Sequence, residues 1–288
     1  MKKIRVARGR HPRAMVPESV RTPRQSSIEE VNKLRAYVNS AEAEVNKMGI
    51  FPRGARRYPF DILGLATISK VFALSKACLK LLSSNLPDEA FGLSRSIVEC
   101  STDLRYLTAD PALQDRRTRN FARYALVDKA FWAHYALEQF RGKKEEHEIR
   151  EYAKQQGIVP DTKPARRHWS GLSGFIWDVM NIDHPLDGPV TLKHKKVSYA
   201  ADYFQTSAFV HCSLSAIDNY YEEGMPFHVS PSTRLHETSQ STLFIILIYL
   251  HSSIAYALYG MGVDRPSRLN SIFQRTLDRV KPIRRRQG

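Results

Sequence analysis

The sequence predicts an all-α fold, a multi-helix bundle with flexible basic arms at its two ends. Three observations predict it. Apolar residues recur at helical spacing along most of the chain, and no segment alternates apolar and polar residues as a half-buried strand does. Proline and glycine stand at the borders of these segments, where helices start and stop. Apolar residues make up 42% of the 288, enough for a sizeable core.

The elements follow in order. Residues 1–25 read as a basic, disordered leader rich in Arg and Pro. They lack the apolar stretch of a secretory signal. A helix opens at Ser26 or Ser27 and closes at Gly49, with Val31, Leu34, Val38 and Val45 as its apolar stripe. The connector "FPRGARRYP" leads into a long apolar helix over 60–85, stopped near Asn85 and Pro87. The next helix begins with Pro87, Asp88 and Glu89, good first-turn residues, and ends before Pro111. Over 111–140, Phe121, Tyr124, Phe131 and Tyr135 form an aromatic stripe expected in the core. A short charged helix follows over 143–157, then loops at 157–168 and 181–196, with helical character again from 197.

Residues 242–263 carry no formal charge and are long enough to span a bilayer. His251, Ser252 and Ser253 sit at the centre, and a bundle of this size needs one helix that is apolar all round. The expectation is a buried central helix, with a membrane span as the alternative. The last segment places Leu269, Ile272, Phe273, Leu277 and Val280 on one face and Arg268, Arg275 and Arg279 elsewhere, a basic amphipathic helix. It docks on the bundle, or else lies on a membrane or a partner. The domain reading is a leader over 1–25, one helical domain over 26–263, and a basic helix with tail over 264–288.

Of the net charge of +15, +7 lies in residues 1–25 and +6 in 264–288, leaving +2 on the body. The basicity belongs to the ends. Lys2, Lys3, Arg5, Arg8 and Arg10 at one end and Arg284, Arg285 and Arg286 at the other are the expected nucleic-acid contacts. Cys78, Cys100 and Cys212 are far apart and lie among apolar neighbours, which argues for a reducing, cytoplasmic setting and against a disulfide framework. No cofactor or metal is expected. Asp183, His184, Asp187 and His194 fall in what reads as a solvated loop, without helix-borne ligand spacing. Gly-flanked nucleophiles and phosphate-binding Gly loops are absent. The pairs Arg141/His147 and Arg5/His11 have an Arg–His spacing that a helical ribonuclease could use, but about three such pairs arise by chance in this composition.

The segment "LSRSIVECSTDLRYL", residues 93–107, is the one polar constellation. Leu93, Ile97, Cys100, Leu104 and Leu107 form a narrow core stripe, while Arg95, Glu99, Asp103 and Tyr106 gather on nearly the opposite side. Arg95 and Glu99 are four apart and can meet on the helix surface. Facing water they are an ordinary ion pair. Covered by another helix they are a specificity device or a ligand site.

This segment resembles the Leu-x-Arg-x-x-x-Glu-x-x-x-x-x-x-Tyr-Leu core of a prokaryotic helical family, domain of unknown function 5677. Arg95, Glu99, Tyr106 and Leu107 stand at its pattern positions. Arg123 and Tyr124 on the next helix are similar too, and "YFQTSAFVHCSL" resembles the second block, with Tyr203 and His211 as the matching residues. The likeness covers roughly residues 60–220. It implies an all-helical cytosolic domain in which polar residues from separate helices converge, and it supplies no reaction.

Together these readings lead to an intracellular bacterial protein that associates with nucleic acid, RNA ahead of DNA, through its arms. A polar pocket of Arg95, Glu99, Tyr106 and His211 has a ribonuclease-like or ligand-sensing role in stress or phage defence. Whether it is an enzyme stays open. The alternatives are a non-enzymatic helical scaffold, as homodimer or complex subunit, and a membrane-associated protein held through 242–280.

Overall fold

A computed structural model describes residues 23–50, 59–155 and 235–280, with positions 157, 170, 179, 181–187, 202, 203, 206, 207 and 210. Every element among them is helical: α1 (Pro23–Lys47), α2 (Pro59–Ser83), α3 (Pro87–Thr108), α4 (Pro111–Phe140), α5 (Glu145–Gln155), α6 (Leu235–Gly260) and α7 (Ser267–Val280). The fold is an all-α multi-helix bundle.

Local chemistry sets the boundaries. α4 starts where the Asp110 carboxylate accepts from the Ala112 amide at 2.9 Å, with Pro111 in the first turn. α2 stops at Asn85, whose φ is 62°. There Leu86 N donates to Leu81 O and Asn85 N to Leu82 O, the paired bonds of a Schellman cap. α6 ends in the same way at Gly262, φ 64°, with Val263 N donating to Leu258 O and Gly262 N to Tyr259 O. α1 begins at Pro23, three residues before the expected serine start.

α2, α3 and α6 pack against one another as the centre. Leu243, Ile246, Leu247, Leu250, Ile254, Ala257 and Leu258 of α6 are fully buried against Ile97, Leu104 and Leu107 of α3 and Ile68, Val71 and Leu79 of α2 within one core. α1 adds Val31, Leu34, Val38 and Val45, and α7 adds Leu269, so the amphipathic last helix docks on the bundle. α2 and α6 are both long and apolar enough to cross a membrane. The apolar window of α6 is 67% buried inside the fold and that of α2 39%, so α6 serves as the bundle's central helix.

Two expectations need correction. The aromatic stripe of α4 is not a continuous core face: Phe121 packs on the core, but Tyr135 is 41% exposed. Thirty residues make α4 about 45 Å long. Its far half pairs with α5, where the small residues Ala133 and Ala153 are buried. Residues 182–187 are a loop with Asp183, Pro185 and Leu186 exposed, but His184 is 3% exposed and Asp187 is held in an ion pair, so these two are not solvated. α5 is exposed and charged as expected, with Ala153 its buried residue.

Candidate functional site

α3 carries its core stripe and its polar ridge as the helical wheel requires. Arg95 lies half-buried on the ridge. Its Nε donates to Glu99 Oε1 at 2.9 Å, one turn along the same helix. Its Nη2 donates to the Tyr203 hydroxyl at 2.7 Å, and the guanidinium carbon lies 4.7 Å from the centre of the Tyr203 ring. The Arg95 side chain is 17% exposed and that of Glu99 43% exposed, so the pair sits in a seam with one open side.

The seam has an apolar floor. Tyr203 and Tyr249 pack against Phe91 and Val98 of α3 and Ile245 of α6. Behind it, the Tyr249 hydroxyl donates to Asp202 Oδ2 at 2.9 Å. Burial raises the Asp202 carboxyl above its ordinary range, and the Tyr249 bond works against that shift. A neighbour on the same helix and one residue distant in sequence thus hold the guanidinium by hydrogen bonds, over a floor to which α6 contributes.

Tyr106 shares the wheel position of Arg95 but stands eleven residues along, about 16 Å up the helix axis. Arg117 of α4 donates from Nη1 to Tyr106 O at 2.7 Å and lays its guanidinium 4.2 Å from the ring centre. That contact ties α4 to α3 at the opposite end of the helix from the seam. His211 lies outside the described residues, as do Lys2, Lys3, Arg5, Arg8, Arg10, Arg284, Arg285 and Arg286.

A second polar cluster was not paired by sequence reasoning. Arg105 is 4% exposed. It donates from Nη1 and Nη2 to the two carboxylate oxygens of Asp187 at 3.0 and 2.8 Å, and from Nη2 to Ile182 O at 2.6 Å. The His184 ring packs edge-on against Tyr256 and Tyr259. Leu186 N donates to His184 Nδ1 at 3.0 Å, so the ring proton is on Nε2 and points to Thr108 Oγ1 at 3.0 Å. Asp183, His184 and Asp187 had been noticed for metal chemistry. Two of them instead clamp residues 182–187 onto α3 and α6.

Among the described residues no cluster of three or more His, Cys, Asp or Glu is arranged to hold a metal ion. One cavity of about 520 Å³ lies between the C-terminal end of α6 and the start of α4, lined by Asp61, Gln114, Asp115 and Tyr259 among others. Another of about 460 Å³ lies between α4 and α5, lined by Lys129, Ala133, Glu148 and Tyr152 among others. Neither is lined by seam residues. The seam holds the Arg95 cation half-buried and paired with the more exposed Glu99 carboxylate.

The sequence profile of a family described as "Family of unknown function (DUF5677)" matches residues 61–226, more than half of the chain. Arg95, Glu99, Tyr106, Tyr203 and His211 fall inside that span, whereas α6, α7 and both basic ends lie beyond it. No curated protein and no solved structure matches the chain.

Proposed function

The chain belongs to the DUF5677 family, and we propose that it associates with RNA, its basic ends drawing in the phosphate backbone and the Arg95 seam contacting the bound strand. One observation carries this reading. Arg95 is held by Glu99 and by Tyr203, with 17% of its side chain still exposed. A guanidinium fixed in this way can meet a phosphate without first ordering a long side chain. The Tyr203 ring lies under the guanidinium and helps to fix its plane. The charge split supports the same reading, because the ends hold +13 of the +15. The setting proposed for it is bacterial, cytoplasmic stress or phage defence.

In the catalytic version, Arg95 holds an anionic oxygen of the scissile phosphate, Glu99 orients Arg95, and His211 is the acid or base. Tyr106, given its contact with Arg117, acts at most by keeping α3 and α4 in register. The test is fluorescence anisotropy with a labelled single-stranded RNA across salt concentrations. Removal of residues 1–22 and 281–288 flattens the salt slope, and Arg95→Gln weakens binding by about tenfold, the worth of one charged hydrogen-bonded contact. Affinity unchanged by Arg95→Gln contradicts the seam. RNA that stays intact over hours in the wild-type sample removes the catalytic version and leaves the binding one.

A second reading has an observation of its own. α5 packs on α4 alone among the principal helix contacts, and Tyr135, Phe140 and Tyr152 of this pair are exposed. That surface suits a protein partner or a second copy, as in a non-enzymatic scaffold. Sedimentation of the full chain separates a homodimer from a monomer.

A further inference from the structure

α6 carries a histidine in the middle of its apolar stretch, and three other segments converge on it. His251 is 8% exposed. From α1, the Tyr37 hydroxyl lies 3.1 Å from Nδ1. From the α6–α7 connection, Arg265 Nη1 lies 3.2 Å from Nε2. From α7, the Phe273 ring stacks on the imidazole, centres 3.7 Å apart and planes 11° apart. A guanidinium can only donate, so Nε2 accepts and the single ring proton on Nδ1 donates to the Tyr37 oxygen. The neutral ring satisfies every contact. A second proton would place an N–H against the donors of Arg265.

The charged surroundings point the same way. Burial, with the positive charge of Arg265, pushes the His251 imidazole down to about 4. α1 presents the Tyr37 phenol to it, and α7 presents an uncharged ring. Glu44, the α1 carboxylate on this side, bonds Lys47 and faces Arg268 at 3.4 Å. Arg265 is itself exposed and its guanidinium is held below its usual range, chiefly by partial burial.

We propose that His251 is an acid-sensitive latch: its neutral ring keeps α7 docked on α1 and α6, and its protonation releases α7 while the α2–α3–α6 centre stays folded. α7 is the element to leave first. It has 14 residues, marginal for a helix on its own, and among the helices it packs on α1 and α6. Release exposes the apolar face of Leu269, Ile272, Phe273 and Leu277 and frees the basic end that follows. The latch stands apart from the RNA reading and does not depend on it.

The sign follows from linkage. An opened α7 leaves His251 free to bind a proton near its ordinary value of 6.5, whereas the docked form resists until about 4. Docking is therefore complete above pH 6.5 and weakens as the pH falls towards 4. Amide exchange on the full chain, corrected for the intrinsic pH effect, reads it. Between pH 7 and pH 4.5 the opening of residues 267–278 increases roughly 60-fold, while residues 97–107 of α3 stay better protected than α7 at both pH values. Arg265→Gln, at an exposed position, raises the imidazole's titration point and shrinks the increase. His251→Phe abolishes it. If that variant does not fold, the wild-type ring resonance carries the test: titration near 6.5 in the docked protein overturns the latch. Equal protection of α7 and α3 at both pH values, or no increase of opening in α7, overturns it as well.

Discussion

Replacing Asp187 by Ala leaves the Arg105 guanidinium in place with both of its carboxylate bonds gone. Arg105 is 4% exposed, and its bond to Ile182 O and its contact with the Tyr256 hydroxyl survive without supplying a counter-charge. Breaking a buried pair by removing one partner costs about 3–5 kcal/mol, because the remaining charge stays desolvated. Asp187 Oδ2 also accepts from His184 N at 3.1 Å, so the clamp on residues 182–187 loosens as well. For 288 residues, 1 kcal/mol shifts Tm by roughly 2 °C, which makes the expected fall about 5–10 °C. The double variant Arg105→Met, Asp187→Leu removes both charges and recovers a large part of that loss. Differential scanning calorimetry of the wild type, the single variant and the double variant measures the cycle. An Asp187→Ala protein within about 1 °C of wild type refutes the reasoning, because the pair would then be solvated or absent.

Further outcomes follow from the same packing. A Cβ on Gly260 would lie well inside van der Waals contact with the Phe60 ring and the Thr108 methyl. Gly260→Ala therefore destabilises by about 1–3 kcal/mol through overpacking, read as a lower denaturant midpoint at unchanged slope. Burial pushes the Cys78 thiol up to about 12 and the Cys100 thiol to about 11. At pH 8 their thiolate fractions are roughly one in ten thousand and one in a thousand. Both resist iodoacetamide in the native protein and react once it is unfolded. Native labelling at the rate of an exposed cysteine contradicts the placement of α2 and α3.

The core was legible because its signal is periodic. Val31, Leu34, Val38 and Val45 on α1, and Ile97, Cys100, Leu104 and Leu107 on α3, all point inward in the structure as their spacing requires. The Arg95–Glu99 bond was legible for a similar reason, since two residues four apart on a helix meet whatever the rest of the chain does. Tyr203 had no such local signal: the family likeness singled it out, but the expected pocket left it out, and its place beside Arg95 is seen in the structure. Arg105 and Asp187 are 82 positions apart, and no pattern in either segment selects the other. A helical wheel also discards height, which is why Tyr106 seemed to join Arg95 although about three turns separate them. Tyr135 continues the stripe that begins at Phe121, but the helix runs past the bundle before reaching it.

The seam is most directly tested by the ¹⁵Nε–¹Hε resonance of Arg95 during titration with a single-stranded RNA. The Glu99 bond to Nε should keep this proton slow to exchange in the free protein. The resonance should then shift on binding and saturate at the RNA concentration that saturates anisotropy. If the strand binds and the Arg95 resonance does not move, the contact lies elsewhere and the seam has only a structural role.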